Sequence, residues 1–421
     1  MKKIVISLAG VLAATAFAPE AAAVPAFARQ VGMACSACHA QHFPILNSFG
    51  RAFKAGGYTM MGAQGKVEGE HLSIPDTLNT SIVMKIRTQK NNQTASTVGS
   101  TSRNSNPQDK FGELQFFDEF ALLFGGRVAD NVGFLLEGTM IGAPLAAGFK
   151  MPFVFDMGAA KVSVIPFTTD ALSVQFGYEL SSGGVLRSNR WAEHRREVSA
   201  IQYNADRGGS ISKGGATGVA FVAQNDMGFV NISQYASNFM VAGGPAVLGS
   251  RYIRVAATPT VGNWAIVAGV GKMSGKSFDG AVTVDTEQTF LDFQGQSEVG
   301  GKELGVYFQY AKAPAGDNRP NAYNGSVCAT GATCNPDRKA MTIGADYTVI
   351  PHSTSVGLAY RKAETGGAAA TNGDNAVTFT VVYDLYQNVA LHLNYSAYSG
   401  TSRQAATAEK NLRTLMLEAA W

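Results

Sequence analysis

From about residue 77 to the C-terminus, apolar and polar residues alternate in segments of about ten residues. Turns rich in Gly, Asn, Asp and Ser separate these segments, as between the two halves of GVAFVAQNDMGFVNISQYAS. A period of two places successive side chains on opposite faces of a strand. Segments of this length and period are typical of a transmembrane β-barrel. A soluble β-sandwich is the alternative, but the number of hairpins favours the barrel.

The pattern predicts an all-β fold with sixteen antiparallel strands between residues 77 and 421, two of them at 151–165 and 169–180. Short links alternate with long ones, as expected when one end of a barrel faces the periplasm and the other the outside. A barrel of this size is wide enough for an aqueous lumen, as in porins. In the last strand, four side chains are predicted to point outward: Leu415, Leu417, Ala419 and Trp421.

The first 23 residues are predicted to be a secretion signal, with Lys2 and Lys3 before an apolar run and a small-residue cleavage site ahead of Val24. No later stretch reaches the roughly 20 apolar residues of a spanning helix. Without the signal, 32 basic and 30 acidic residues remain, a balance of +2 that argues against a nucleic-acid partner. Export and the strand pattern together predict a bacterial outer-membrane protein with surface-exposed loops and a lipid-facing wall.

One predicted outer loop, 181–213, carries a cluster of basic residues. The segment RSNRWAEHRRE contains Arg187, Arg190, His194, Arg195 and Arg196. A solvated charged loop is one interpretation. A loop that folds into the lumen and constricts it is the other, and the sequence leaves both open.

The front of the chain contains CxxCH, formed by Cys35, Cys38 and His39. This spacing lets two thiols add to the vinyl groups of one haem while the adjacent histidine ligates its iron. A zinc site is the alternative, but it needs further ligands, and His42 is the only close one. The motif therefore predicts one covalent haem c, with Cys35 and Cys38 as attachment sites and His39 as the proximal ligand.

After the motif, the apolar spacing predicts an amphipathic helix that begins near Phe43, with Pro44 in its first turn, and ends at Gly56 and Gly57. Its apolar face is expected to pack on the haem through Phe43, Leu46, Phe49 and Phe53. Arg51 and Lys54 are expected near the haem carboxylates, although a solvated basic face explains them equally well.

The sixth iron ligand is open. On one helix, His42 and His39 would project to the same face, so they are unsuited to opposite sides of one haem. Met60 or Met61, after the Gly-Gly turn, is the preferred distal ligand, because the chain can double back there. His71 is the second choice, and an open position is the third.

A second cysteine pair, Cys328 and Cys334, lies in VCATGATCNP, a loop rich in Gly, Thr and Asn. In an exported chain such a pair predicts a disulfide that closes the loop.

The segment PAFARQVGMACSACHAQHFPILNSFGRAFKAGGYTM resembles the front of the fused monohaem cytochrome–porins, the outer-membrane Fe(II) oxidases of iron-oxidising bacteria. The shared positions are Pro25, Phe27 to Gln30, Cys35 to His39, Phe43, Pro44, Leu46, Phe49 to Arg51, Phe53, Lys54, Gly57 and Tyr58. The resemblance covers 36 residues. It implies a signal at 1–23, a small α-helical monohaem cytochrome c segment at 24–75 and a barrel at 76–421.

The resemblance implies an oxidoreductase that takes electrons from extracellular Fe(II) and passes them to a periplasmic cytochrome or other carrier. Because a hydrocarbon core is about 30 Å thick, we expect residues 24–75 to plug or line the lumen and so shorten the electron path. Two other functions stay open: an electron conduit with a different donor or acceptor, and a diffusion porin whose haem senses or gates.

Overall fold

A computed structural model describes most of the chain. The described residues are 25–62, 64–92, 112–140, 146–181, 185, 192, 195–205, 214–239, 246–278, 282–331, 336–405 and 408–421. The predicted signal therefore lies outside them. Within these ranges, no helix is long and apolar enough to cross a membrane.

The elements ahead of the wall are short. Their bounds are α1 Pro25–Val31, a 3₁₀ turn Cys35–Ala37, α2 Ser48–Ala55, and the hairpin β1 Lys66–Gly69 with β2 Leu72–Pro75. The links between wall strands contain α3 Arg195–Val198, α4 Ala200–Ala205 and 3₁₀ turns at Val174–Phe176, Ala369–Thr371 and Thr401–Arg403. Gly316–Asp317 and Val327–Cys328 form a two-residue parallel pair in another link.

The wall is a closed antiparallel barrel of sixteen strands, as the alternation predicts. Its strands are β3 Thr80–Asn91, β4 Glu113–Ala129, β5 Val132–Thr139, β6 Ala146–Lys150 with Phe153–Asp156, β7 Lys161–Thr169, β8 Ala216–Asn225, β9 Gly228–Ala236, β10 Ser250–Ala257 with Thr260–Val261, β11 Trp264–Phe278, β12 Thr283–Asp285 with Gln288–Val299, β13 Lys302–Ala313, β14 Arg338–Ile350, β15 Thr354–Thr365, β16 Asn375–Tyr386, β17 Val389–Ser399 and β18 Asn411–Ala420. The barrel closes where β18 pairs with β3, from Leu412↔Asn91 to Ala420↔Val83.

The two faces of the wall follow the period of two. In β8, Phe221 is 52% exposed while its neighbours Ala220 and Val222 are buried. In β18, Leu415 and Trp421 are exposed outward as predicted, whereas Ala419 is buried. An apolar outer face on a closed antiparallel barrel is the arrangement that lets strands cross a bilayer without unpaired backbone groups. The protein is therefore a bacterial outer-membrane β-barrel.

The ends of the barrel differ in the length of their links. One end has links of two residues, as at 130–131, 226–227 and 300–301. The chain also enters β3 and leaves β18 at this end, which is the periplasmic end in barrels of this kind.

The predicted strands at 151–165 and 169–180 are wrong. The first spans the turn at 157–160 and parts of β6 and β7, and residues 170–180 leave the wall altogether. The sequence misleads here because Pro166 lies inside β7, opposite a break in β6, where the amide of Met151 donates to its carbonyl oxygen at 3.1 Å. A proline cannot donate to a neighbouring strand, and it usually marks the end of one.

The link between β7 and β8 folds into the lumen instead of covering the barrel from outside. Val198, Ile201 and Tyr203 are almost completely buried. The guanidinium groups of Arg338 and Arg361, which project from the wall, lie 4.1 Å and 4.5 Å from the ring centroid of Tyr203.

The basic cluster of this link therefore includes a lumen residue. Arg196 is buried beside Glu197, and their side chains pair at 2.7 Å. This supports the lumen interpretation for that arginine. Arg187, Arg190 and His194 lie outside the described residues.

The entry of this link is held by one buried cation. Arg254 of β10 pairs with Asp292 of β12 at 2.5 Å and with Glu179 of the link at 2.8 Å. Glu179 in turn accepts hydrogen bonds from the amides of Leu180 and Ser181. Arg254 therefore ties the lumen segment to two wall strands.

We expect Arg254→Met to lower the free energy of unfolding by about 3–5 kcal/mol, because Glu179 and Asp292 would both keep a buried charge without its cation. The measurement is equilibrium unfolding in urea, followed by the mobility of folded and heated protein in gels. Arg251→Met is the matched control, since Arg251 is exposed on the other face of the same strand. Equal stability of both variants would contradict the role of Arg254.

Candidate functional site

The front segment, residues 25–62, lies inside the barrel at the end with short links. The amide of Gln41 donates to Glu303 Oε2 at 2.6 Å. Gln224 Nε2 donates to the carbonyl oxygen of Ala55 at 2.7 Å. Because Gln224 and Glu303 belong to β8 and β13, the segment spans the lumen between distant strands.

Gln30 holds the two ends of the front segment together. Its Nε2 donates to the carbonyl oxygens of Tyr58 and Met60, both at 2.7 Å, and its Oε1 accepts from Asn79 at 3.3 Å. The ring of Phe27, three residues earlier, stacks on Tyr58 with centroids 4.9 Å apart. Helix α1 and the turn after α2 thus form one unit.

The CxxCH motif is followed by a tight hairpin, so the prediction of a helix from Phe43 is wrong. His39 bridges to Leu46, and the amide of Ala40 donates to the carbonyl oxygen of Ile45. A residue that precedes proline disfavours helical geometry, which excludes Phe43 from a helix. Helix α2 begins only at Ser48, where the Asn47 side chain accepts from the amide of Gly50 at 2.9 Å.

Gly50 lets helix α2 lie directly against the motif. A Cβ atom at this position would clash with the carbonyl oxygen of Cys38 and press on Leu46. The apolar pattern does not mark Gly50, because a single glycine inside a helical pattern is a weak signal. The helix ends as predicted, with Gly56 after Ala55 and Gly57 at φ 71°.

An open cavity of about 220 Å³ lies next to the motif. Its walls come from the front segment, from β5 and β6, and from the lumen link. The lining includes Phe27, Val31, Met33, Cys35, Cys38, His39, Phe43, Leu46, Phe53, Lys54, Tyr58, Leu135, Glu137, Lys150, Leu172 and Phe176.

Only some of the predicted haem-packing residues lie at the cavity. Phe43, Leu46 and Phe53 line the cavity, but Phe49 and Arg51 are not in its lining. On α2, the face with Gly50, Phe53 and Lys54 meets the cavity, and Phe49 and Arg51 lie to either side of that face. Arg51 instead donates to Gln296 Oε1 at 3.0 Å.

His39 and the two cysteines have the chemical states that covalent haem binding needs. Burial lowers the pKa of His39 to about 4, so the imidazole is neutral at neutral pH and offers a lone pair to a metal. Neither thiol is part of a disulfide. Burial, reinforced by Cys35, raises the pKa of Cys38.

The predicted distal ligands do not lie on the cavity. The carbonyl oxygen of Met60 is bound by Gln30. The His71 side chain is 93% exposed at the turn between β1 and β2. Neither these residues nor Met61 is in the lining, whereas Met33 is.

His42 points away from the cavity. It does not share a helix face with His39, contrary to the prediction. It lies in the hairpin turn, and its Nδ1 donates to the carbonyl oxygen of Phe43 at 2.7 Å. Its ring lies 6.0 Å from that of His392, a wall residue. The front segment and β17 therefore meet through two imidazoles.

A second opening, the rim cleft, reaches the motif from the end of the barrel that has the short links. Cys35 and His39 also line this cleft, together with Glu298, Lys302 and His352. The motif is thus enclosed by the lumen on one side and approached from the periplasmic end on the other.

The predicted disulfide can be described at one of its cysteines. Cys328 is disulfide-bonded, while Cys334 lies outside the described residues.

Several solved barrels are similar to this chain in fold. The anion-selective porin from Comamonas acidovorans is 12% identical, with a TM-score of 0.49 over 82% of this chain and 99% of the porin. The outer-membrane channel DcaP of Acinetobacter baumannii is 11% identical, with a TM-score of 0.47 over 82% and 97%. OmpT, an outer-membrane protein of Vibrio cholerae, is 14% identical, with a TM-score of 0.47 over 82% and 98%. No protein-family profile and no curated protein matches the sequence.

We expect Gly50→Val to unseat the front segment, because the added side chain overlaps the backbone of Cys38, and overpacking of this kind costs about 1–3 kcal/mol. Protease digestion in detergent, read by mass spectrometry, should then cut within residues 25–62 while the barrel stays folded. Ala52→Val is the control, since Ala52 is exposed on the same helix. Full protection of the Gly50 variant would show that α2 does not need this close approach.

Proposed function

We propose that the protein is an outer-membrane electron-transfer cytochrome that oxidises extracellular Fe(II) at one covalent haem c and passes the electrons to a periplasmic carrier. One observation carries this proposal: Cys35, Cys38 and His39 all line the same, largely apolar cavity inside a closed barrel. The chain would act as an Fe(II)-oxidising oxidoreductase.

The residues around the cavity fit a covalent haem. They provide two thiols outside any disulfide at the required spacing, a neutral imidazole and apolar walls. A haem held here supplies one-electron redox chemistry. Phe43 packs beside the His39 ring, with centroids 5.5 Å apart, and so fixes its orientation. Phe27, Phe53 and Tyr58 exclude water from the cavity wall.

The filled lumen argues against a diffusion porin. In the described part of the barrel, the front segment occupies the periplasmic end, and α3 and α4 lie buried further along the lumen. Fe(II) that stays outside this packed lumen would become Fe(III) there. Its electron would cross the lumen to a haem held by Cys35, Cys38 and His39.

The rim cleft would let a periplasmic carrier exchange electrons with a haem at the motif. It brings Cys35 and His39 to the periplasmic end, beside Lys302 and His352. A soluble carrier that docks there would come close to the attachment motif without entering the barrel.

We expect anaerobic Fe(II), added to the haem-loaded protein, to produce the absorbance bands of reduced haem. The double variant Cys35→Ala with Cys38→Ala is the control, and it should lose covalent haem staining because both attachment sulfurs are gone. Covalent haem in that variant would contradict the attachment sites.

The same assay separates the donors. A haem-loaded protein that dithionite reduces and Fe(II) does not, at any pH where Fe(II) is the stronger reductant, would exclude iron oxidation and favour a conduit with another donor. Free entry of sugars into liposomes that hold the protein would instead favour the diffusion porin.

We further propose Met33 as the distal ligand, in place of Met60 or Met61, because its side chain lines the cavity. Met33→Ala should abolish the methionine–iron charge-transfer band and lower the reduction potential, since a methionine ligand raises it. Met60→Ala and Met61→Ala are the matched controls and should keep the band. If Met33→Ala keeps the band and either control loses it, the distal ligand is Met60 or Met61 instead.

A further inference from the structure

Two lysines reach the cavity from different parts of the chain, Lys54 from α2 and Lys150 from β6. We propose that they form an anion site for the two carboxylate groups of the haem, so that the barrel wall itself holds the cofactor through Lys150. This inference rests on the proposed function and deepens it. It assigns a role to a wall residue that lies more than a hundred positions after the attachment motif.

Lys150 is buried without a counter-charge among the described residues. It is 4% exposed, and its ammonium donates to the carbonyl oxygen of Phe176 at 3.0 Å. The rings of Phe176 and Tyr58 lie 4.7 Å and 5.6 Å from Nζ. An ammonium has three N–H groups, and one carbonyl uses one of them. The remaining donors need an acceptor, because a buried unpaired charge is costly.

Lys54, which is half-buried, is a second cation at the same cavity. Burial lowers the pKa of Lys54 to about 8, against Glu179, which raises it. Glu179 is already paired with Arg254, and no described carboxylate forms an ion pair with Lys54. Two cations therefore share one cavity, and each would be stabilised by an anion inside it.

A haem has the anionic groups that the two lysines of this cavity lack as partners. Its ring is apolar, as most of the lining is, and its two carboxylates match two ammonium groups in number and charge. Glu137 of β5 also lines the cavity, but it already interacts with another group. The ionisable groups that face the site are Cys35, Cys38, His39, Lys54, Tyr58, Glu137 and Lys150.

The test is a redox titration of the haem-loaded protein across pH, with the visible spectrum recorded at each step. Lys150→Gln should lower the midpoint potential, because a nearby cation favours the reduced haem. It should also move the pH-dependent step to higher pH, because a carboxyl group that loses its cation has a raised pKa. The spectrum should not change. Lys150→Arg should restore both values, and Lys54→Gln should act in the same direction as Lys150→Gln.

Lys161→Gln is the control for charge alone, since this exposed lysine of β7 is absent from the lining. An unshifted potential and pH step in Lys150→Gln would overturn the inference. So would a change of iron spin state, which would make the lysine an iron ligand.

A free anion is the other source of carboxylate or phosphate chemistry. If the inference holds, acetate or phosphate added to the wild type leaves its potential unchanged, whereas a shift means that the site takes free anions and overturns it. A wild type that carries no covalent haem would remove the proposed function, and this inference with it. Unshifted variants of a haem-loaded protein would remove only this inference.

Discussion

A closed barrel has no free backbone groups in its wall, and this constraint decides how anything is held inside it. The irregular segments in the lumen bring carbonyl oxygens that no strand can pair. Donors on wall side chains supply the bonds: Gln224 to Ala55, Lys150 to Phe176, Asn231 to Tyr178, Gln309 to Val185, Arg361 to Arg196 and Arg338 to Tyr203. The amides and cations on the inner face are therefore the structural partners of the lumen segments, and not simply a polar lining for water.

The same constraint explains how far the sequence reaches. The period of two depends on local geometry, so the number of strands and the outward position of Trp421 follow from the pattern. Residues 170–180 have a similar alternation, yet they leave the wall, because Arg254, far along the chain, binds Glu179 there. A contact of that kind leaves no local trace in the sequence.

The candidate site was predictable in its chemistry and less so in its shape. The spacing of Cys35, Cys38 and His39 identifies the reactive groups. The apolar rhythm after them has the right composition but the wrong start, because the residues before Asn47 form a hairpin and the helix begins only at Ser48. Lys150 lies in a short strand with nothing in the sequence to mark it. Its contacts, Tyr58 and Phe176, come from two separate stretches of the chain.

The position of the cavity inside the barrel also has a consequence for the order of assembly. Its lining runs from Phe27 to Phe176 and includes the wall strands β5 and β6. Once β18 has paired with β3, the thiols of Cys35 and Cys38 lie inside a finished lumen. If a haem is joined to them, an attachment enzyme reaches both thiols most easily while the chain is still unfolded in the periplasm, because Cys35 lines the rim cleft and Cys38 does not. Loading would then precede insertion into the membrane, and the barrel would fold around a cofactor that is already bound.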